Sequence, residues 1–308
     1  MSTILITGGT GMIGTRLAKM LVEKNYQVII LTRDPQKHSS GHERISYAAW
    51  DIGQQTIDAN AIANADHIIH LAGEGVADKR WSRKRKQEIV NSRTQSSSLL
   101  VKALEEIPNK VQTVVSASAI GWYGPDTVAG KQNGFTEEVP ADTHFLGETC
   151  RRWEESIQPV EAMGKRLIKL RTGIVIGPSG GALKEFRQPL KFGIATILGN
   201  GEQVLSWIQL DDLCRLYIAA IEHKQLQGVY NAVAPFPVTN RQLVLALAKQ
   251  LRGESYIPVY VPALILKIVL GEMSIEVLKS ATVSAEKITA SGFRFLYPSI
   301  EEALAVSV

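Results

Sequence analysis

The chain has 308 residues, of which 45% are hydrophobic and 21% are charged. This globular composition provides enough apolar residues for a large core and excludes a disordered, collagen-like or coiled-coil protein. The formal net charge is only +4, so the overall charge predicts neither a nucleic acid nor a membrane as a partner.

Three features bear on where in the cell the protein is expected: its cysteines, its N-terminal residues and the length of its most apolar run. Cys150 and Cys214 lie far apart and have neither disulfide-framework nor metal-site spacing, so no metal is expected. The N-terminal residues run directly into a predicted strand, without the pattern of a signal peptide. The most apolar run, residues 261–271, is much shorter than a membrane span and contains Lys267. We therefore expect a cytoplasmic protein.

Short β-branched runs alternate with longer helical patterns in the first part of the chain, which is typical of βαβ units around a parallel sheet. Strands are predicted at 4–7, 27–32, 45–48, 67–71, 111–116 and 167–176. Helices are predicted at 12–23, at about 82–105 and at about 145–161.

Beyond Gly177 the alternation of predicted strands and helices becomes irregular, with glycine-rich turns and predicted helices at 212–223 and 242–251. We therefore predict an α/β fold: a Rossmann-type doubly wound parallel sheet in residues 1–177, followed by a smaller C-terminal substrate lobe in residues 178–308. Segments near 205–235 are expected to return to the Rossmann part.

The run TGGTGMIG follows the first predicted strand and opens the first predicted helix. In that context Gly8 permits a tight turn, Gly11 permits close approach of a pyrophosphate, and Gly14 permits close packing of helix on strand. Free N–H groups at the helix start bind phosphates. The alternative is a glycine-rich turn without a ligand. The predicted cofactor contacts in this loop are Gly8, Thr10, Gly11, Met12, Ile13 and Gly14.

The end of the second predicted strand distinguishes the two nicotinamide dinucleotides. An acidic residue there would favour NAD, but this strand ends in Thr32 followed by Arg33. A hydroxyl and a guanidinium suit a 2′-phosphate, so NADP(H) is the predicted cofactor. An ion pair between Arg33 and Asp34 is the alternative.

Several further motifs carry a resemblance that extends over nearly the whole chain. With the glycine-rich start, the sequence resembles an atypical extended short-chain dehydrogenase/reductase of the epimerase family protein branch, which is similar to NAD-dependent epimerases/dehydratases. The additional motifs are LAGE (71–74), SASAIGWYG (116–124), SWIQLDDL (206–213), GVYNAVAP (228–235) and GFRFLYP (292–298).

The resemblance implies further cofactor contacts at the ends of predicted strands. Asp51 matches an aspartate that contacts adenine, although it also fits an ordinary turn. Leu71, Ala72 and Gly73 match the strand end that passes the cofactor ribose.

Two more parts of the chain are implied in cofactor binding by the same resemblance. Glu88 and Arg93 lie near Asn91 in the long predicted helix and are expected to reach the cofactor, with a solvated charge pair as the alternative. Val175 falls at the nicotinamide end, or else belongs to the strand core.

The acid–base pair of the parent family is missing. That family uses a tyrosine and a lysine four residues later on one helix, where the ammonium lowers the pKa of the phenol. No YxxxK occurs in this sequence. Phe145 or Leu146 takes the tyrosine place, and Thr149 or Cys150 takes the lysine place.

Other residues are candidates for the catalytic role. Ser118 matches the serine that binds the reacting group, with Ser116 as the second choice. Tyr123, Glu74 and His144 are candidate acids or bases because all three are predicted near the carboxyl edge of the sheet. Their alternatives are a packed aromatic, a helix cap and an exposed residue at a helix start.

Six basic residues stand in the eight positions 79–86. Positive charge at a helix N-terminus opposes the helix dipole, which favours a functional role for the run, and Arg80 is the residue proposed for it. The run is interpreted as a cationic rim for cofactor phosphates or an anionic substrate, or as a solvated helix start. Trp81 is interpreted as a packing residue.

The sequence therefore predicts an NADP(H)-dependent oxidoreductase or epimerase that acts on a small, anionic or neutral substrate. The alternatives are a catalytically silent NADP(H)-binding regulator linked to cell division and an ordinary NAD-dependent nucleotide-sugar epimerase. The third is the weakest, because its mechanism uses the missing pair. The oligomeric state stays open.

Overall fold

The computed structural model describes residues 2–39, 41–178 and 181–308. The strands are β1 (Thr3–Thr7), β2 (Gln27–Thr32), β3 (Ile45–Asp51), β4 (Thr56–Ile57), β5 (His67–His70), β6 (Thr113–Ala119), β7 (Arg166–Thr172), β8 (Ile174–Ile176), β9 (Ile194–Leu198), β10 (Val204–Leu205), β11 (Trp207–Gln209), β12 (Gly228–Ala232), β13 (Val238–Thr239) and β14 (Ile257–Val261).

The helices follow the strands in the alternation that the sequence predicts. They are α1 (Met12–Glu23), α2 (Ala59–Asn64), α3 (Arg83–Glu106), α4 (Val128–Asn133), α5 (Phe145–Ile157), α6 (Pro159–Ala162), α7 (Ala182–Leu190), α8 (Leu210–Glu222), α9 (Asn240–Arg252), α10 (Ala263–Leu270), α11 (Ser274–Leu278), α12 (Glu286–Ala290) and α13 (Ile300–Ala305). Short 3₁₀ turns occupy Pro35–Lys37, Ile120–Trp122 and Gly271–Met273.

Eight strands form one sheet in the order β12-β7-β6-β5-β1-β2-β3-β4. Neighbours are parallel except for the antiparallel pair of β3 and β4. The chain proceeds from β1 through β2 to β3 and then returns to the other side of β1 at β5. A crevice for ligands lies at such a reversal, outside the carboxyl ends of the strands. The predicted doubly wound parallel sheet is confirmed.

Helices cover both faces of this sheet, which is why its inner strands are apolar almost throughout. On one face Leu17 and Leu21 of α1 pack with Leu213 and Leu216 of α8. The other face is covered by a second core cluster that includes α2, α3 and α6. Because helices cover both faces of the sheet, a ligand can approach its strands at their carboxyl ends.

The later part of the chain builds a third apolar core around Trp207, Leu243, Leu247, Ile300 and Leu304. Three two-stranded sheets surround it: β8 with β11, β9 with β14, and β10 with β13. Residues after 178 also join the large sheet, because β12 pairs with β7 and α8 packs on α1.

Two predicted elements are divided in the structure. The predicted strand 167–176 breaks between β7 and β8 at Gly173, where a Cβ atom would lie 2.7 Å from the backbone oxygen of Ser206. The predicted helix 145–161 becomes α5 and α6, because Pro159 has no backbone N–H to continue the first helix.

Candidate functional site

The glycine-rich loop between β1 and α1 is packed so tightly that Gly8, Gly9 and Gly14 have no room for a side chain. Gly8 has φ +68°, and a Cβ there would lie 2.9 Å from the carbonyl carbon of Leu71. A Cβ on Gly14 would lie 2.5 Å from both Gly8 O and Gly9 Cα. The loop therefore brings the start of α1 against the end of β5, at the reversal point of the sheet.

The N-terminus of α1 is left open by this loop. Gly11 is the N-cap residue, no side chain caps the helix, and no acidic residue stands in its first turn. A Cβ on Gly11 would meet only Gly8 O, at 3.4 Å. The free N–H groups and the positive end of the helix dipole form a cradle that fits a phosphate group.

A cavity of about 390 Å³ lies at this helix start. Its lining includes the predicted residues Thr10, Gly11 and Met12, and it adds Pro178 and Leu210, which were not predicted as cofactor contacts. Ile13 and Gly14 continue the first turn behind it.

Arg16 also lines this cavity, but its charge is already matched. Its guanidinium donates two hydrogen bonds to the Asp211 carboxylate, at 2.7 and 2.9 Å. The next residue, Asp212, is fully buried and accepts from the backbone N–H groups of Leu296 and Tyr297. The SWIQLDDL and GFRFLYP motifs thus bind each other and position α8 beside α1.

The opposite wall of the crevice is the segment after β5, which Thr7 fixes. The Thr7 hydroxyl oxygen accepts from the N–H groups of Leu71 and Ala72, at 3.1 and 3.2 Å. Its own proton is therefore donated to His70 Nδ1, 2.7 Å away. Gly73 follows, exposed at the crevice.

The proton of His70 is placed on Nε2 by this arrangement. Nε2 lies 3.2 Å from the Ser97 hydroxyl and 3.3 Å from the Ser96 hydroxyl, and both hydroxyls donate to Arg93 O. Complete burial lowers the pKa of His70 to about 3. A neutral histidine therefore ties β5 to β1 and α3. No sequence motif indicated this network.

Arg93 lies behind Gly73, where a Cβ on the glycine would be 3.2 Å from its guanidinium carbon. Its Nη1 donates to Ile89 O, and its guanidinium lies 4.9 Å from the Trp153 ring centroid. Burial lowers the pKa of Arg93. Glu88 is not its partner, since the Glu88 carboxylate accepts from Arg85 Nη1 at 3.1 Å. The alternative interpretation, a charge pair of Glu88 with Arg93, is therefore wrong, and their contact with a cofactor stays a prediction.

The end of β2 presents Thr32 and an exposed Arg33. Asp34 does not pair with Arg33, because its carboxylate lies 2.8 Å from Lys37 Nζ. Arg33 makes no hydrogen bond or ion pair with any residue in the described ranges. The Asp51 carboxylate accepts from the N–H groups of Gly53 and Gln54, so it stabilises its own turn.

The predicted catalytic serine is sealed inside the protein. Ser118 is 2% exposed, and its hydroxyl donates to Glu154 Oε1 at 2.7 Å. Arg171 donates to both Glu154 oxygens, at 2.8 and 3.2 Å, and Lys169 Nζ lies 3.8 Å away. The three buried charges and the serine satisfy one another.

Tyr123 is part of the same buried network. Its hydroxyl donates to Asn231 Oδ1 at 2.7 Å and accepts from Arg171 Nη1 at 3.1 Å. Burial raises the pKa of Tyr123 to about 12. Arg171 also stacks on the Trp122 ring, 3.6 Å from its centroid. The SASAIGWYG and GVYNAVAP motifs meet in this network.

Two residues of α5 face the turn after β6, where the acid–base pair of the parent family is expected. A Cβ on Gly121 would lie 3.2 Å from Leu146 Cβ and 3.5 Å from Cys150 Sγ. Complete burial raises the pKa of Cys150 to about 12. Phe145 instead packs edge-on against Trp81, with ring centroids 4.8 Å apart. An apolar pair therefore faces this turn.

The other two candidate acids or bases are accessible. Glu74 has 51% of its side chain exposed and lies 3.2 Å from Arg85 Nη1. His144 precedes α5, has 69% of its side chain exposed, and places Nδ1 3.0 Å from Asp142 Oδ2. Asp142 is held against the turn after β6, since its N–H donates to Trp122 O at 2.8 Å. His144 therefore has one oriented nitrogen and one free nitrogen.

Val175 lies in the middle of β8, half-buried and paired with Ile208 of β11. A Cβ on Gly181 would approach its carbonyl oxygen to 3.1 Å. Within the described residues, no group of three or more His, Cys, Asp or Glu side chains is arranged to hold a metal ion. No described helix is long and apolar enough to cross a membrane.

A doubly wound parallel sheet with an open, glycine-rich helix start at its reversal point defines a dinucleotide-binding fold of the extended short-chain dehydrogenase/reductase class. The chain belongs to the NAD dependent epimerase/dehydratase family, whose profile matches residues 4–232. Residues 261–306 match a domain of unknown function. Without the Tyr–Lys pair, it is an atypical member of that class.

Relatives match along their whole length. The chain is 35% identical to an epimerase family protein of Staphylococcus saprophyticus, over 99% of this chain and 98% of that protein. It is 32% identical to an epimerase family protein of Bacillus subtilis, over 98% and 96% of the two chains.

Solved structures share the fold. A human epimerase family protein solved with NADPH is 26% identical, with a TM-score of 0.85 and 98% of each chain covered. MoeE5, solved with UDP-glucuronic acid and NAD, is 21% identical, with a TM-score of 0.80 over 99% of this chain and 97% of that chain.

Proposed function

We propose that this chain is an NADP(H)-dependent oxidoreductase that acts on a small substrate. The observation that carries the proposal is the combination, at one edge of the sheet, of an uncapped α1 N-terminus and an Arg33 that has no partner among the described residues. The similarity to a human family member solved with NADPH supports the same cofactor.

The residues present fit a nicotinamide dinucleotide. Backbone N–H groups at Met12 and Ile13 would hold the pyrophosphate, and the segment Leu71 to Gly73 would line the ribose. When bound, this cofactor supplies or accepts a hydride. Arg33 and Thr32 would hold the 2′-phosphate through charge-assisted hydrogen bonds.

A second cavity beside the glycine-rich loop supports a phosphate at this end. It has a volume of about 640 Å³ and borders Gly9 and Thr10. Lys19, His38 and His42 add nitrogen donors to its wall, which also includes Glu23.

Titration of intrinsic fluorescence with NADPH and NADH tests the cofactor preference. Arg33→Ala should weaken NADPH binding roughly 10- to 100-fold, because a hydrogen bond to a charged group is lost, and should leave NADH binding unchanged. The exposed Arg294→Ala is the matched control. Tighter binding of NADH than of NADPH by the native chain would contradict the proposal.

We further propose His144 as the group that exchanges a proton with the substrate. Ser118 and Tyr123 are sealed in the buried network, and Glu74 is engaged by Arg85. The Asp142 carboxylate orients His144 through Nδ1, which leaves Nε2 free for a substrate.

NADPH oxidation with a panel of carbonyl compounds tests this role. Once a substrate is found, His144→Asn should lower kcat about 100-fold or more with NADPH affinity unchanged. The exposed His223→Asn should keep full turnover. Unaltered kcat in His144→Asn would assign the proton to another group.

A second candidate function, a catalytically silent NADP(H)-binding regulator, is favoured by one observation. Leu146 and Cys150, which cannot exchange a proton as tyrosine and lysine do, lie against Gly121. Tight NADPH binding together with inertness toward a broad panel of carbonyl compounds would favour the regulator over the oxidoreductase.

A further inference from the structure

Helix α10 exposes nearly all of its aliphatic side chains. Leu264, Ile265, Ile268 and Val269 are 70%, 49%, 67% and 62% exposed, while Leu266 is 7% exposed. The helix packs mainly on the short turns and helix that follow it. Each exposed aliphatic group is unfavourable in water, so a contiguous row of them indicates a surface that a partner covers.

The basic run 79–86 borders the C-terminal end of this helix. A Cβ on Gly271, the residue after α10, would lie 2.7 Å from Arg80 Nε. Lys86 forms an ion pair with the neighbouring Glu272. The start of α3 and the end of α10 therefore share one surface.

Two cations of the basic run, Arg85 and Lys86, form ion pairs with the carboxylates near this surface. Arg85 lies within 4.0 Å of Glu74, Asp78 and Glu88, and Lys86 is paired with Glu272. The remaining four basic residues of the run are exposed and form no ion pair with a described residue: Lys79, Arg80, Arg83 and Lys84. Lys267 adds a fifth exposed cation on α10 itself.

We propose that α10, with Lys267 on the helix and Arg80 at its C-terminal end, forms a basic-apolar patch that binds the surface of an anionic lipid bilayer. Aliphatic side chains of an interfacial helix enter the headgroup and acyl boundary, while lysines and arginines near anionic lipids each contribute about 1 kcal/mol. The overall charge had predicted no membrane partner. The structure instead concentrates unpaired positive charge beside the exposed apolar helix.

Charge also decides between a bilayer and a second copy of the chain. Two copies that meet through α10 would bring the same unpaired cations close together, where like charges repel. An anionic bilayer offers negative charge and an apolar interior to the same patch. With eight residues, α10 is about 12 Å long, which suits binding at the surface.

Co-sedimentation of the full chain with vesicles tests the proposal. We expect binding to vesicles of phosphatidylcholine with phosphatidylglycerol, little binding to phosphatidylcholine alone, and weaker binding as salt is added. Ile268→Asn, and separately the double variant Arg80→Gln with Lys267→Gln, should each lower the bound fraction at least tenfold at limiting lipid. Leu296→Asn and Lys224→Gln, exposed residues outside the patch, are the matched controls.

Circular dichroism and thermal unfolding check that each variant folds. Absence of binding to anionic vesicles, or equal binding by Ile268→Asn and the native chain, would overturn the proposal. A dimer in light scattering that Ile268→Asn converts to a monomer would also overturn it, because the patch would then be a self-association surface. These outcomes do not depend on the enzymatic role of the site.

Discussion

The polar groups at the two ends of the crevice differ in whether they have hydrogen-bond or ion-pair partners. At the dinucleotide end the N–H groups of α1 have no cap and Arg33 has no partner in the described structure. At the end between β6, β7 and α5, Ser118, Glu154 and Arg171 are buried and bind one another. The unpaired groups are suited to a ligand, whereas the paired groups stabilise the fold.

The largest expected effect is the removal of Glu154. Glu154→Ala should lower the free energy of unfolding by about 3–5 kcal/mol, because Arg171 and Lys169 would stay buried without their carboxylate. Denaturant unfolding measures the change. Glu155→Ala, which removes an exposed ion pair to Arg151, should cost less than about 1 kcal/mol. Unaltered stability together with lost turnover would make Glu154 a catalytic residue. The paired groups at this end would then not serve mainly to stabilise the fold.

The buried His70 predicts a pH-dependent stability for the wall that carries Leu71 and Ala72. The imidazole stays neutral in the folded protein down to about pH 3, whereas in the unfolded chain it gains a proton near pH 6.5. Between these values the unfolded state binds more protons, so the free energy of unfolding falls as pH falls. The loss is about 1.4 kcal/mol per pH unit and reaches about 3 kcal/mol near pH 4.

Unfolding of the native chain and of His70→Gln across this range measures that slope. The variant is less stable at pH 7, because glutamine does not reproduce both hydrogen bonds, but its curve should be flatter below pH 6.5. The exposed His223→Gln should retain the native slope. An identical slope in His70→Gln would assign the pH dependence to other groups.

A smaller effect is expected at Ser118. Ser118→Ala removes one hydrogen bond to a charged group, and the loss should be about 1–2 kcal/mol of unfolding free energy. Turnover with any substrate found should stay native, since the hydroxyl points to Glu154. A large fall in kcat with native stability would restore the serine to the reacting site.

Much of the fold was predictable because its signals are local. Glycine spacing, β-branched runs and helical periodicity depend on neighbouring residues, and they predicted α1 and β2 at the bounds found in the structure. Boundaries failed where distant residues intervene, as at Gly173, whose close neighbour Ser206 lies far along the chain.

The candidate site was predictable to a different degree at its two ends. The role of the glycine-rich loop could be predicted from the spacing of its glycines between the first strand and the first helix. Glu154 and Asn231 enter the buried network from α5 and β12, far from Ser118 in sequence, so no local pattern reveals that the serine is already engaged. Asp142 is only two residues from His144, but the 3.0 Å contact between their side chains depends on the backbone of this segment and was not predicted.

The smallest substitution, one methyl group at Gly11, separates ligand binding from folding most cleanly. Gly11 has φ −80°, which any residue adopts, and a Cβ there meets only Gly8 O at 3.4 Å. Gly11→Ala should therefore keep native stability but weaken NADPH binding about tenfold or more, because the methyl group occupies the approach of the pyrophosphate. Gly14→Ala is the matched contrast, since its Cβ would lie 2.5 Å from Gly8 O and must disturb the loop itself. Thermal unfolding and NADPH titration of both variants measure the two effects. Native NADPH affinity in Gly11→Ala would show that the open helix start does not bind the phosphates. Dinucleotide binding would then no longer explain why the polar groups at this end of the crevice lack partners.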